Sequence, residues 1–212
     1  VHILGQTPDG APLFVMKRVE GITWRDALAS PAVVERLCGA SDAQAMLDFH
    51  LDVLARVASA VAFAHARGVL HRDLKPENVM LGGFGEVYVM DWGLAVALRE
   101  DAVLPLAAAQ RAVVGTPSYM AVGNGAALSV RSDVFLLGAM LYHVLAGRPP
   151  YHGATLLSTL TEAHLCTPAA PRVHAHGHST PIIASGVITS VTRGIATRLA
   201  RSLRPCERSM LV

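Results

Sequence analysis

Four polar side chains lie close together in the sequence and have the types that phosphoryl transfer requires. Asp73, Lys75 and Asn78 belong to the run HRDLKPENVML, and Asp91 opens the downstream run DWGLA. Transfer of a phosphoryl group needs an acid that accepts the hydroxyl proton, oxygen ligands for Mg²⁺ and a cation that offsets developing charge. Asp73 and Lys75 can supply the acid and the cation, and hard oxygen ligands such as Asn78 and Asp91 suit Mg²⁺.

A predicted β-hairpin brings the two metal-ligand candidates together. Val79–Leu81 and Glu86–Met90 are short β-like runs that flank the turn sequence GGFG. The hairpin places Asn78 and Asp91 at neighbouring strand ends. Two acceptor side chains can then converge on one metal ion.

Predicted helices, strands and loops surround this hairpin. Two apolar periodic segments predict helices. One is Ala43–Arg67, capped by Asp42 and stopped by Gly68, and the other is capped by Ser132 or Asp133 and ends at Gly147. The other expected elements are a hairpin of Val1–Leu4 and Leu13–Val19, a long functional loop over Arg99–Gly123, a helix over Leu157–Leu165, and a Pro-, His- and Gly-rich connection over Pro168–Pro181.

The composition excludes several classes of protein. A chain of 212 residues is typical of one domain, and a net charge of +2 with interspersed acids and bases does not indicate a nucleic-acid binder. The longest apolar run, residues 134–146, is interrupted by His143 and is too short to cross a bilayer. The three cysteines lack paired spacing, which favours free thiols in a reducing compartment, and we expect a cytoplasmic location.

Several motifs occur in an order that resembles a known family. The runs HRDLKPENVML, DWGLA, VGTPSYMA and SVRSDVFLLGAMLYHVLAGRPPY resemble the catalytic loop, metal-binding motif, end of the activation segment and central helix of bacterial, eukaryotic-like serine/threonine protein kinases. DWG, where the family usually has DFG, resembles a bacterial subfamily. The resemblance implies an α+β, protein-kinase-like fold with a mainly α-helical C-terminal lobe and a remnant β-hairpin of the N-terminal lobe. It also implies ATP with Mg²⁺ or Mn²⁺ as cofactors and protein Ser/Thr hydroxyls as substrates.

The resemblance assigns roles to single residues. Asp73 would be the catalytic base, Lys75 would steady the γ-phosphate, and Asn78 and Asp91 would hold the metal. Thr116 would contact Asp73 and Lys75 and shape the substrate groove. Other residues would support the site. His71 and Trp92 would belong to an apolar spine, and Asp133 would hydrogen-bond the backbone of the catalytic loop from beneath. Gly93 of the DWG motif and Arg72 would also have supporting roles. The nucleotide site would include Met16 as the gatekeeper residue and Met80 below the adenine ring. The backbones of Lys17 and Val19 would pair with the adenine, and Lys75 would contact the γ-phosphate.

Arg72 raises a separate question, because an Arg at this place in the family often receives a phosphate from the activation segment. No Ser, Thr or Tyr occurs between Asp91 and Gly115. We therefore hypothesise that no phosphosite in the middle of this loop switches the protein, and that Glu100 or Asp101 serves as a fixed anion.

The sequence also departs from the family pattern. A Gly-rich loop, the strand Lys and its Glu partner do not occur in it, so we interpret the chain as one partial kinase domain: residues 1–19 as strands and hinge start, 20–185 as C-terminal lobe and 186–212 as a divergent tail. Ala121, Val122 and Gly123 replace the family's APE, which leaves Arg208 without its expected Glu.

An alternative function is that of a noncatalytic kinase-like interaction module. For His174, His176 and His178 we favour a solvated loop over a metal site.

Overall fold

The architecture is α+β, with most of the described chain in helices. The structure is a computed structural model, and it describes residues 3–15, 18–40, 42–100, 104–110, 114–120, 128–165, 172–175 and 178–181. The helices are α1 Trp24–Ala29, α2 Pro31–Cys38, α3 Ala43–Ala66, α4 Val130–Ala146 and α5 Leu156–Leu165. The strands are β1 Ile3–Gln6, β2 Pro12–Val15, β3 Ile22–Thr23, β4 Val69–Leu70, β5 Val79–Leu81, β6 Val87–Val89, β7 Val96–Ala97, β8 Arg172–Ala175 and β9 His178–Pro181.

The strands form small antiparallel sheets. β1 pairs with β2, β4 pairs with β7, and β3, β5 and β6 form a three-stranded sheet in that order. In the β5–β6 hairpin Val79 lies opposite Val89, and the Met90 N–H donates to the Asn78 carbonyl at 2.8 Å. The predicted hairpin is confirmed, and Asn78 and Asp91 follow neighbouring strand ends. The opening hairpin is also confirmed, although its strands are shorter or shifted relative to the prediction.

The segment from Pro168 to Pro181 is more regular than predicted. β8 and β9 form an antiparallel hairpin within it, where the sequence indicated an irregular connection. In the backbone register Val173 lies opposite Thr180 and His174 lies opposite Ser179. His174 and His178 lie on these strands, and only their backbones are described, whereas His176 lies outside the described residues.

α3 leads into the segment of residues 71–78, named the catalytic loop after the resemblance described above. The helix matches its predicted range closely. The Asp42 carboxylate caps it by accepting the Ala45 N–H at 2.8 Å. At the other end Gly68 has φ 77, and its N–H donates to the His65 carbonyl at 2.9 Å. The left-handed glycine ends the helix and turns the chain into β4.

α4 begins earlier than the sequence indicated. Ser129, and neither Ser132 nor Asp133, is its N-cap, and Ser132 completes a capping box with Ser129. Ser129, Ser132 and Asp133 lie within five residues and each has a side chain that can cap a helix, so the sequence alone does not choose between them. With Ser129 as the cap, Asp133 lies inside the first turn of α4, where it is completely buried. The predicted end at Gly147, with φ 69, is confirmed.

The main hydrophobic core lies between α1, α3, α4 and β5. Its fully buried members include Trp24 on α1, Val57 on α3, Val79 on β5 and Met140 on α4, with Leu74 from the catalytic loop. Each such side chain contributes about 1.5–3 kcal/mol relative to an exposed position. The catalytic loop is therefore packed on the core through one of its own residues. In the described parts of the chain, we find no helix with the length and apolar character needed to cross a membrane.

Two half-buried histidines lie in neutral form between these helices. The Trp24 indole N–H donates to His50 Nδ1 at 3.0 Å, and the Tyr119 hydroxyl lies 2.6 Å from His143 Nδ1. Burial lowers the pKa of His50 to about 4, with a further contribution from His143. Burial likewise lowers the pKa of His143 to about 4, with a further contribution from the Arg25 cation. Burial raises the pKa of the Tyr119 hydroxyl, so it remains protonated and can donate to His143.

We expect these histidines to make the fold sensitive to acid. Because both pKa values fall from 6.5 to about 4 on folding, the unfolded chain binds more protons between these pH values. The stabilising effect is fully present above about pH 6.5 and is lost as the pH falls to about 4. Within this window each histidine can lower the free energy of unfolding by up to about 1.4 kcal/mol per pH unit. Urea titrations at several pH values measure the slope of the free energy of unfolding against pH.

A double variant, His50→Gln and His143→Gln, removes both titrating groups and retains hydrogen-bonding atoms. We expect it to flatten the slope. His164→Gln, at an exposed position on α5, is the matched control and should keep the parent slope. An unchanged slope in the double variant would contradict the assignment.

Candidate active site

The catalytic loop runs from His71 to Asn78, and its start is fixed by the buried carboxylate of Asp133. The His71 N–H donates to Asp133 Oδ2 and the Arg72 N–H donates to Asp133 Oδ1, both at 2.8 Å. This is the contact predicted for Asp133. Arg72 has φ 73, a left-handed conformation that costs a non-glycine residue about 1–3 kcal/mol. The two charge-assisted hydrogen bonds offset that cost and hold the turn that precedes Asp73.

The His71 ring connects the catalytic loop with the segment that carries Asp91. Its Nδ1 accepts the Asp73 N–H at 3.3 Å, so its Nε2 carries the proton and donates to the Met90 carbonyl at 3.0 Å. Burial lowers the pKa of His71. The Met90 carbonyl and nearby carboxylates oppose this shift, but burial has the larger effect and favours the neutral ring. The Trp92 ring lies 4.5 Å from it, centroid to centroid. Sequence reasoning expected both rings to align the site, and the structure places them in contact.

A closed ring of hydrogen bonds joins the proposed base, the cation and Thr116. The Lys75 ammonium donates to Asp73 Oδ2 at 2.7 Å and to the Thr116 hydroxyl at 2.6 Å. The Thr116 hydroxyl in turn donates to Asp73 Oδ1 at 2.8 Å. The contact predicted between Thr116, Asp73 and Lys75 is confirmed. The carboxylate is therefore held in one orientation from both of its oxygens.

Asn78 and Asp91 have donor atoms that fit Mg²⁺. The Asn78 Nδ2 group donates to the Asp73 carbonyl at 2.8 Å and lies 3.2 Å from Asp73 Oδ2, which leaves Oδ1 as the free acceptor of that amide. Asp91 is exposed and has φ 58, and its Oδ1 accepts the Gly93 N–H at 3.3 Å. A Cβ at position 93 would lie 3.1 Å from that oxygen, so glycine gives the carboxylate room.

No group of three or more His, Cys, Asp or Glu side chains suited to a metal occurs among the described residues. A pair of oxygen ligands is nevertheless what Mg²⁺ uses when substrate phosphates and water complete its octahedral shell. The residues present therefore fit the metal that the sequence suggested.

The segment that carries Thr116 is docked from both sides. Gly115 has φ 127, and a Cβ there would approach the Arg72 carbonyl to 3.3 Å, so this contact with the catalytic loop favours glycine. On the other side Met120 packs in a small core with Tyr151 and with Ala163 of α5. The Tyr151 N–H also donates to the Ser118 carbonyl at 3.3 Å.

The Arg72 side chain forms no ion pair with Glu100, one of the two anions that we hypothesised for it. Its Nη1 donates to the Leu94 carbonyl at 3.5 Å, and burial lowers the pKa of the guanidinium, partly opposed by Asp133. Within the described part of the chain no carboxylate forms an ion pair with it. Glu100 is exposed and does not fill that role, because Arg72 is turned toward Leu94 instead. Asp101 lies outside the described residues.

The predicted nucleotide contacts are described only in part. Met80 is half-buried on β5, opposite Tyr88 on one side and Thr23 on the other, and Val19 is half-buried before β3. Other predicted residues lie outside the described part of the chain: Met16, Lys17, Ala121, Val122, Gly123 and Arg208.

One contact of the catalytic loop was not anticipated from the sequence. His65 on α3 lies with its Nε2 at 2.8 Å from Asp133 Oδ2, and both side chains are buried. The sequence showed His65 only as a member of the apolar face of the helix. The signal that could have identified it is its polarity at a core position close to His71.

Asp133→Asn tests the role of this carboxylate in the fold. The amide retains one acceptor oxygen and brings an NH₂ group against N–H donors, so buried hydrogen bonds to a charged group are lost. We expect the free energy of unfolding to fall by about 3 kcal/mol in urea titrations. Asp52→Asn, on the exposed face of α3, is the matched control and should change it by less than about 1 kcal/mol. Equal effects of the two variants would contradict this account.

Comparisons with known proteins place the chain in a family. The family described as "Protein kinase domain" matches residues 40–179. Serine/threonine-protein kinase PknB of Mycolicibacterium smegmatis is 31% identical over 195 residues, which cover 89% of this chain and 28% of that protein. PknB of Mycobacterium tuberculosis is 33% identical over 82% of this chain and 26% of that protein, and PknD of Chlamydia abortus is 31% identical over 76% and 19%. The chain thus spans between 19% and 28% of the length of these relatives. With the catalytic loop geometry above, the match over residues 40–179 shows that the chain belongs to the protein kinase family.

Proposed function

We propose that this protein is a serine/threonine protein kinase that transfers the γ-phosphoryl group of Mg·ATP to protein hydroxyls. The observation that carries the proposal is the hydrogen-bonded ring of Asp73, Lys75 and Thr116, with Asn78 bonded to the same carboxylate. Phosphoryl transfer depends mainly on positioning and charge neutralisation. This ring provides both within one small volume. The similarity to proteins named serine/threonine-protein kinases supports the same conclusion.

In the proposed reaction Asp73 orients the substrate hydroxyl and accepts its proton. The hydroxyl oxygen forms the new bond to the γ-phosphorus, the bond from that phosphorus to the β–γ bridging oxygen breaks, and ADP leaves. Lys75, held at 2.7 Å from Asp73, offers its positive charge to the transferred group. Because Thr116 and Lys75 already hold the carboxylate, Asp73 reaches the hydroxyl without a further change of its orientation.

Asn78 and Asp91 are the proposed metal ligands. When bound there, Mg²⁺ would supply positive charge that offsets the charge of the phosphates. Asn78 contributes Oδ1, because its Nδ2 is engaged by the Asp73 carbonyl, and Asp91 contributes its exposed carboxylate. Mn²⁺ accepts the same oxygen ligands.

The finer assignments belong to the same proposal. Met16, the backbones of Lys17 and Val19, and Met80 would line the adenine site, and Trp92 would be a trait of a DWG-containing subfamily. Trp92 is compatible with the site, because its indole N–H donates to the Val89 carbonyl at 3.1 Å while its ring contacts His71. Use of ATP and a free exposed thiol at Cys38 support a cytoplasmic location. Protein hydroxyls, and not nucleic acid, are the proposed partners.

Asp73→Asn tests the proposed reaction. The amide keeps the size of the side chain and cannot accept the hydroxyl proton, so we expect transfer from Mg·ATP to fall at least about 100-fold. Incorporation of labelled γ-phosphate into the protein itself and into a mixture of Ser- and Thr-containing peptides measures it. The protein is expressed from its complete reading frame.

Asp48→Asn, at an exposed position on α3, is the matched control and should retain the parent rate. Equal transfer by the parent and Asp73→Asn would refute the role of Asp73. No transfer by the parent would favour the alternative of a noncatalytic kinase-like interaction module.

Asp91→Asn tests the metal site separately. Loss of the negative charge weakens Mg²⁺ coordination, so we expect the Mg²⁺ concentration for half-maximal ATP binding to rise about tenfold or more. Calorimetric titration of ATP at several Mg²⁺ concentrations measures it without turnover. Asp26→Asn, at an exposed position on α1, is the control. An unchanged Mg²⁺ dependence in Asp91→Asn would remove this residue from the proposed site.

A further inference from the structure

We propose that the exposed face of α3 and the tip of the β5–β6 hairpin, residues 82–86, form a surface on which a second copy of this chain docks. The surface contains two exposed aromatic side chains, Phe84 on the tip and Phe63 on α3. Each of them is flanked by charges, and the two sets of charges have opposite sign. The surface uses none of the residues proposed for phosphoryl transfer, so the inference goes beyond that function.

The hairpin tip presents Phe84 on an ordered turn. Its side chain is 97% exposed, while its N–H donates to Glu86 Oε2 at 3.0 Å and the Gly82 N–H donates to the Glu86 carbonyl at 2.9 Å. From α3, Arg56 Nη1 donates to the Gly85 carbonyl at 2.8 Å. An aromatic side chain on an ordered turn loses little conformational entropy on binding, which suits a docking anchor. The neighbouring Glu86 carboxylate makes this anchor negatively charged.

The second anchor lies at the C-terminal end of α3. Phe63 is 60% exposed, and the Arg67 guanidinium lies over its ring, 3.5 Å from the centroid. The Arg99 guanidinium borders the same turn, because a Cβ at Gly68 would lie 3.4 Å from its Nε. Among the residues that the structure describes, no carboxylate forms an ion pair with Arg67 or Arg99. This anchor is therefore an aromatic ring flanked by positive charge.

The two anchors lie along one side of α3. Arg56, which binds the hairpin tip, precedes Phe63 by seven residues, and residues at this spacing project from the same side of a helix. The positions are separated by about 10 Å along the helix axis. The side chains along this line, Asp52, Arg56, Ser59 and Phe63, are all exposed. A single partner can therefore contact both anchors at once.

The charges favour a second copy of this chain as that partner. Because the negative and the positive anchor complement each other, a two-fold axis places the Phe84–Glu86 end of each copy on the Phe63–Arg67 end of the other. Two pairs of rings then leave water, and each Glu86 gains a basic partner. An anionic membrane would instead repel Glu86 and Asp52. The surface is small, so the association is weak and reversible.

Sedimentation velocity over a range of protein concentrations tests the association. We expect the parent to associate reversibly with a dissociation constant on the order of 100 μM. Phe63→Ser and Phe84→Ser should each raise this constant at least about tenfold. Leu165→Ser, which removes an exposed apolar side chain from α5, is the matched control and should keep the parent value. A parent whose sedimentation does not change with concentration, or parent-like association of the Phe variants, would overturn the proposal.

Exchange of charges tests the pairing itself. Glu86→Lys and Arg67→Glu each place like charges opposite each other in the symmetric dimer, so each alone should raise the dissociation constant about tenfold. An equimolar mixture of the two variants pairs opposite charges at both contacts and should associate within about threefold of the parent. Arg148→Glu, at an exposed position after α4, is the control and should behave as the parent. A mixture that does not recover would refute the pairing, because mixing cannot rescue two misfolded variants.

Vesicle binding separates this proposal from a membrane surface. We expect no retention of the parent on vesicles of phosphatidylcholine that contain phosphatidylserine. Retention that Phe84→Ser abolishes would assign the surface to lipid and overturn the second-copy proposal. None of these measurements uses ATP or turnover, so their outcome is independent of whether the protein transfers phosphate.

Discussion

The buried carboxylate of Asp133 is the interaction on which the rest of the site depends. A charge without any exposed surface is stable only when donors surround it, and here they come from two separate parts of the chain. Because α4 begins at Val130, this carboxylate lies one turn inside the helix and faces the core. The left-handed turn at Arg72 follows from these contacts, and so does the direction of the chain at Asp73. The position of Asp73 is therefore constrained by a buried carboxylate, Asp133, that is not itself one of the proposed reactive groups.

A second constraint comes from the segment around Thr116, which is distant from Asp73 in sequence. Its hydroxyl closes the ring with Lys75, so the polar site is complete only when this segment is docked. Docking depends on buried contacts elsewhere, including the Tyr119 hydroxyl on His143 and the packing of Met120 near α5. The segment around Thr116 and the catalytic loop are thus parts of one folded unit.

Much of this arrangement was predictable from sequence, for reasons that differ between elements. The 3.6-residue periodicity and the Asp42 cap predicted α3, and the GGFG turn predicted the β5–β6 hairpin, because these signals are local. The start of α4 was not predictable, since Ser129, Ser132 and Asp133 compete for one cap and tertiary burial decides between them. His65 was missed for a related reason. Its partner is distant in sequence, and a histidine in an apolar pattern gives no sign of which carboxylate it will meet.

The His71 imidazole has a consequence for how the site can move. The ring is bonded at one nitrogen to the Asp73 backbone and at the other to the Met90 backbone, directly before Asp91. The ring therefore links the backbone at Asp73, the proposed proton acceptor, to the backbone next to Asp91, the proposed metal ligand. Burial lowers the pKa of His71 and favours the neutral ring, so this link adds no charge between the two carboxylates. A shift of β6 would therefore displace Asp73 and Asp91 together, and the spacing between these two proposed reactive groups would be conserved.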